Sequence, residues 1–298
     1  MVRFLQSFPS LLRKMEPGLA FYQERMDMKA PKSIIQRITA SNGSVFTGPG
    51  TNSYLIGTDD ITLVDPGPKI DAHLSNLLEL GKNKIKRILV THTHPDHSPG
   101  AKVLADKLKI PLMGRLVAKD DSRQDRTFKP DQVLNHGDII KTDEYTIEVI
   151  HTPGHASNHL CYLIAEEETM LTGDHIMNGS TVVIAHPDGS MRQYLDSLTL
   201  LKNYKFNRIG PGHGDFLGDP FAVVDWIIAH RLERESKVVE KLQLISPCNS
   251  NTLVKEVYDD VDERLHPIAL WSLEAHLTKL LEDKVAVFDS DEQAWSLN

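Results

Sequence analysis

Apolar positions change rhythm along this chain. Short runs at residues 34–38, 53–56 and 61–64, separated by turn formers such as Thr47-Gly48-Pro49-Gly50 and Thr58-Asp59-Asp60, predict β-strands. Residues 70–80 show helical recurrence, 84–91 read as a strand, 99–108 as a helix and 111–113 as a short strand. Further strands are expected at 146–150, at 160–164 and up to Leu171, which makes the body an α/β fold. After Pro220 the rhythm becomes helical, over 221–244, 251–258 and 266–283, with Leu270, Leu273, Leu277, Leu280 and Leu281 on one side of the last helix. Residues 284–288 and 293–297 then flank a turn at Asp289-Ser290-Asp291, the outline of a winged helix. Three segments follow: an arm over 1–32, a body over 33–219 and a helical, winged-helix-like tail over 220–298.

Composition narrows the classes. No apolar run approaches twenty residues, so no membrane partner is expected. Two cysteines in dissimilar settings, Cys161 and Cys248, argue against a disulfide framework or a thiolate metal cluster and fit a reducing compartment such as the cytoplasm. Residues 1–15 carry Arg3, Arg13 and Lys14 without an acid, as an import signal to the mitochondrial matrix would, but Pro9 breaks the helical pattern and an ordinary arm is expected. The net charge of −8 excludes tracking a phosphate backbone by bulk electrostatics. From Ile227 onward eight Lys or Arg face fourteen Asp or Glu, a difference of −6. The tail is therefore read as packing or homo-oligomer surface, not as a DNA reader.

Candidate chemistry is concentrated in Thr91-His92-Thr93-His94-Pro95-Asp96-His97-Ser98-Pro99. A lone histidine is usually a satisfied core or surface residue, whereas four metal-ligand types within six residues at the end of a strand point to a metal site. In an extended segment His92 and His94 would share a face and one cation if the strand runs on into them; Asp96 and His97, beyond the Pro95 turn, can face a second. His155 in Thr152-Pro153-Gly154-His155, Asp174 in Leu171-Thr172-Gly173-Asp174 and His213 in Pro211-Gly212-His213-Gly214 repeat the pattern of a strand tip carrying a ligand. Asp65, at the end of an early strand, and His159 stand where they can orient ligands from behind. The mixed-charge segment 115–131 reads as a solvated loop or as a flap offering an arginine, and Arg123, Arg126, Ser180 and Thr181 are placed to meet a leaving group.

In order, His92, His94, Asp96, His97, His155, Asp174 and His213 resemble the motifs of the metallo-β-lactamase superfamily, over residues 33–219. The resemblance implies an αββα sandwich in which His92, His94 and His155 hold one metal, Asp96, His97 and His213 a second, and Asp174 bridges them. Residues 51–57, together with the His155 and His213 motifs and the tail, look most like the β-lactamase-like protein 2 family, whose mitochondrial members are endoribonucleases cutting single-stranded RNA.

The mechanism so implied uses two divalent ions about 3.5–4 Å apart and a bridging hydroxide, with Asp96 taking the nucleophile's proton. Zinc suits the ligands best, and manganese or iron also fit. The leading expectation is a hydrolase of single-stranded RNA, by resemblance. An alternative is a hydrolase of small thioesters, lactones or related metabolites, favoured by the acidic surface. A non-catalytic, metal-binding winged-helix regulator ranks last, because the ligand set is complete.

Overall fold

Side chains alternate between the two faces of a strand, and over residues 52–56, 61–64, 160–164 and 169–173 both faces are buried. The computed structural model describes residues 33–118 and 121–298. The arm and any import signal therefore lie outside the described residues. One sheet has the order β1 (Ile35–Thr39), β2 (Asn52–Ile56), β3 (Ile61–Val64), β4 (Ile85–Leu89), β5 (Leu112–Gly114), β6 (Gln132–Val133). The other comprises β7 (Ile139–Lys141), β8 (Thr146–His151), β9 (Leu160–Ile164), β10 (Thr169–Gly173), β11 (Arg208–Pro211) and β12 (Leu217–Gly218), in the spatial order β12-β11-β10-β9-β8-β7.

Alternation sorts these residues into layers. Tyr54 and Ile56 of β2, Val64, Leu89, Ile147, Val149 and Tyr162 share the core between the sheets. Their neighbours Leu55, Leu63 and Ile88 face outward to Leu74 and Leu77 of α1 (Asp71–Gly81) and Leu104 of α2 (Pro99–Leu108). On the opposite side Ile150, Cys161 and Met170 meet Tyr194 and Leu198 of α3 (Met191–Leu201) and Val224 and Ile227 of α4 (Pro220–Ile245). The fold is the expected αββα sandwich.

The 26-residue α4 starts on an Asp219 cap with proline at its first position, then runs out of this core into another. Its Val238 and Leu242 pack with Leu253 of α5 (Ser250–Val257), Leu273 and Leu277 of α6 (His266–Glu282) and Trp295 of the hairpin β13 (Ala286–Asp289) and β14 (Ala294–Leu297). Leu273, Leu277 and Leu280 of the α6 stripe lie in the core of the winged helix and Leu270 packs against it, whereas Leu281 is exposed. Among the described residues no helix is long and apolar enough to cross a membrane.

Two expectations change. The strand before the metal motif stops at Leu89, not Thr91. Asp65 leaves β3 at φ 47°, and its carboxylate takes the Thr91 amide at 2.7 Å and the Thr91 hydroxyl at 2.6 Å, so the backbone quits the ladder. The segment after Arg115 is an irregular, largely exposed loop where it is described, but it is anchored at Asp121, Gln124 and Phe128, which are buried. Arg123 grips Asp121 and the Ala185 and His186 carbonyls, Gln124 accepts from Thr93, and Asp125 bonds Ser98 and the Thr93 carbonyl. It braces the histidine loop.

Candidate metal centre

Because β4 ends early, His92 and His94 sit on a loop that turns back on itself, with the His97 amide donating to the His94 carbonyl at 3.0 Å. Their convergence comes from this turn and not from strand alternation. His92 Nε2 is 3.0 Å from His94 Nδ1, which is 2.8 Å from Nε2 of His155 in the β8–β9 connection. His155 Nδ1 lies 2.7 Å from the Val183 carbonyl. A carbonyl only accepts, so Nδ1 bears the proton and the Nε2 lone pair points at the other two rings.

A second group adjoins the first. His97 Nε2 is 3.3 Å from both Asp96 Oδ2 and Asp174 Oδ1, and His213 Nε2 is 3.2 Å from each. Asp174 Oδ2 turns the other way, 3.7 Å from His155 Nε2. Asp174 thus presents one oxygen to each group. His213 Nδ1 faces the Gly50 carbonyl at 3.1 Å, which sets its ring as Val183 sets His155.

Surrounding residues fix these rings. Asp65 Oδ2 is 2.9 Å from His97 Nδ1. His159 contacts Thr152 through Nδ1 and accepts the Asp174 amide at Nε2, so it holds the Asp174 backbone. Thr51, absent from the sequence-derived set, donates to Asp96 Oδ2 at 3.2 Å. A Cβ on Gly212 would stand 2.5 Å from Asp174 Oδ1 and 2.8 Å from His97 Cε1, so only glycine fits there. His151 bonds the Ser157 carbonyl and stays outside both groups.

The two groups differ in charge. Burial, with the neighbouring rings, pushes His94 down to about 3, His92 well below its ordinary value and His155 down as well, so these three are neutral and hold free lone pairs. In the other group burial also opposes charge on the imidazoles, but Asp96 and Asp174 outweigh it, lifting His213 to about 10 and His97 well above its ordinary range. The same attraction overcomes burial to hold both carboxyls below the usual carboxylate range. A cation takes the place of protons in such a cluster.

The residues fit divalent metal. His97 Nε2 and Asp174 Oδ1 are buried without a hydrogen-bond partner although they face each other, an arrangement that a shared cation satisfies. The donor set of imidazoles and carboxylates suits zinc, iron or manganese.

His94, Asp96, His155, Asp174 and His213 form the floor of a cavity of about 790 Å³, with His92 and His97 behind them. Ser180, Thr181 and Arg123 line it, as do residues that no motif marked: Val45 and Phe46 from the β1–β2 connection, and Tyr258, Leu265, Ile268 and Trp271 from the tail. The tail is thus a wall of the site as well as packing surface.

Comparison with known proteins agrees with this architecture. The model of the Metallo-beta-lactamase superfamily matches residues 46–213, and that of the Beta-lactamase associated winged helix domain matches residues 250–295. The chain is 32% identical over 277 residues to the Beta-lactamase-like protein 2 homolog of Drosophila melanogaster, covering 88% of this chain and 92% of that one. It is 26% identical over 283 residues to an Atrochrysone carboxyl ACP thioesterase of Cryptosporiopsis sp., covering 88% and 84%. The crystal structure of a metallo-beta-lactamase family protein from Thermus thermophilus shares the fold, with a TM-score of 0.74 at 18% identity over 89% of this chain and 99% of that one. With a family model across more than half of its length, and a relative above 30% identity along most of it, the chain belongs to the metallo-β-lactamase superfamily and is a metal-dependent hydrolase.

Proposed function

We propose that this chain is a dinuclear metallohydrolase of an acyl thioester or ester whose acyl part lies in the cavity. The observation that carries this reading is the lining: above the polar floor the walls are largely apolar, from Val45, Phe46, Leu265, Ile268 and Trp271. A largely apolar wall suits an acyl group better than a charged backbone.

His92, His94 and His155 would hold one divalent ion, and Asp96, His97 and His213 the other, with Asp174 shared. Zinc matches these donors best. Bound there, the ions supply a nucleophilic water at neutral pH and polarise the reacting carbonyl. Asp96 commits Oδ2 to Thr51, His97 and His213, and its Oδ1 makes no hydrogen bond to any described residue. That oxygen takes the nucleophile's proton and passes it to the leaving thiolate or alkoxide. Asp65 and the Val183 and Gly50 carbonyls hold His97, His155 and His213 in the orientations this requires. A relative named as an ACP thioesterase supports the acyl reading.

A second reading, single-stranded RNA, is favoured by one feature. Phe46 and Trp271 stack at 6.3 Å with 17° between planes and are 46% and 38% exposed, a surface on which a base can stack. The net charge of −8 weighs against it. The test is a panel of acyl thioesters, esters and labelled single-stranded RNA, given to zinc- or manganese-loaded protein and to Asp174→Ala. Thioester cleavage lost in the variant is expected. RNA cleavage lost in the variant, with no ester turnover, would replace the first reading by the second.

A further inference from the structure

Arg231 stands in the middle of α4 and is only 4% exposed, yet it lines the cavity. A terminal nitrogen donates to the Val182 carbonyl, and the guanidinium carbon lies 5.5 Å from the centre of the Tyr194 ring. Its Nε is buried with no hydrogen-bond partner. It forms no ion pair with any described residue. The other two arginines of the wall are neutralised, Arg123 by Asp121 at 2.6 Å and Arg234 by Asp260 at 2.7 Å. A buried full charge without a counter-charge is costly.

The position of this charge is informative. Val182, which Arg231 grips, adjoins Val183, whose carbonyl sets the His155 ring. Arg231 lines the same cavity as His155 and as Tyr258, Leu265 and Trp271 of the tail. Ser272 of α6 lines the same wall, and its hydroxyl makes no hydrogen bond to any described residue. One unpaired guanidinium with one free hydroxyl matches a single planar monoanion; a phosphate dianion would call for more positive charge.

We propose that Arg231, assisted by Ser272, is a carboxylate subsite: the substrate is an acyl thioester or ester that carries a second, free carboxylate, which pairs with Arg231 while the scissile carbonyl lies over Asp96 and Asp174. This rests on the acyl reading above. It also accounts for a cation kept deep in an apolar wall, since the substrate supplies the missing counter-charge.

The test compares zinc-loaded wild type, Arg231→Met and Arg231→Lys on paired thioesters of equal length, one ending in a carboxylate and the other in the isosteric carboxamide. Wild type should prefer the carboxylate in kcat/KM by roughly 10- to 100-fold, chiefly through KM. Arg231→Met should bring that ratio close to one, and Arg231→Lys should retain part of it. A merely structural role would lower both rates and leave the ratio unchanged. Equal rates for the pair in wild type, or a ratio that survives in Arg231→Met, would overturn the proposal while leaving the acyl reading intact. If neither thioester is hydrolysed, the acyl reading fails. Calorimetric titration of the same proteins with a dicarboxylate and its monoamide then decides the subsite alone: tighter dicarboxylate binding that vanishes in Arg231→Met supports it, and equal binding overturns it. Should Arg231→Met not fold, the wild-type and Arg231→Lys ratios decide.

Discussion

The floor of the cavity is made of loops at strand ends and its far wall of helix faces, and the two differ in what holds each side chain in place. On the floor His92, His97 and His213 are almost wholly buried, and each polar ring is pinned by a named partner: Thr91, Asp65 or the Gly50 carbonyl. On the wall Val261, Leu265, Ile268 and Ala269 are half-buried and Trp271 is exposed, held by the leucine core of α6 behind them. Polar geometry is intolerant of small displacements, whereas apolar packing accepts exchange of similar volumes. One scaffold can thus keep its chemistry on the floor and vary its substrate at the wall.

Substitutions can break or sharpen that contrast. The largest effect is expected from Asp174→Ala, which removes the carboxylate that faces both candidate ligand groups; turnover should fall by about a thousandfold or more, and elemental analysis should find metal lost. An active, metal-replete variant would refute the shared-carboxylate assignment. Leu277→Ala opens a cavity in the tail core and should cost about 2–5 kcal/mol of stability in denaturant melts, with metal content per folded molecule retained. Loss of metal from the folded variant would mean that floor and wall are not separable.

Asp65→Asn keeps the shape but weakens the hold on His97 and Thr91. Chelator competition should show metal affinity lower by roughly 10- to 100-fold, and unaltered affinity would mean that the loop is set by its own backbone. Trp271→Ala is expected to be the mildest, raising KM for a long acyl thioester by about tenfold or less and for an acetyl thioester hardly at all. Equal effects on both substrates would place Trp271 outside the acyl path.

How much of this was legible in the sequence depends on whether the determinant was local. Period-two and period-3.6 patterns are local, so most of the longer strands and helices were readable, and so was the order of His92, His94, Asp96, His97, His155, Asp174 and His213, whereas α3 and the short strands β6, β7, β11 and β12 were not read. Where β4 ends was not, because a distant carboxylate, Asp65, captures the Thr91 amide and ends the ladder. The carbonyls of Gly50 and Val183, which set two ligand rings, leave no trace in residue type, since every residue has a carbonyl. Arg123 read as a candidate for substrate, and only its fold partners show it committed to Asp121 and the 185–186 carbonyls. Arg231 entered the sequence reading only as one of the eight Lys or Arg of the tail. By itself the sequence determined which elements form and which side chains can hold metal; the tertiary structure alone decided which of them converge, because convergence depends on long-range pairing such as β10 with β11 and on the tail folding back over the floor.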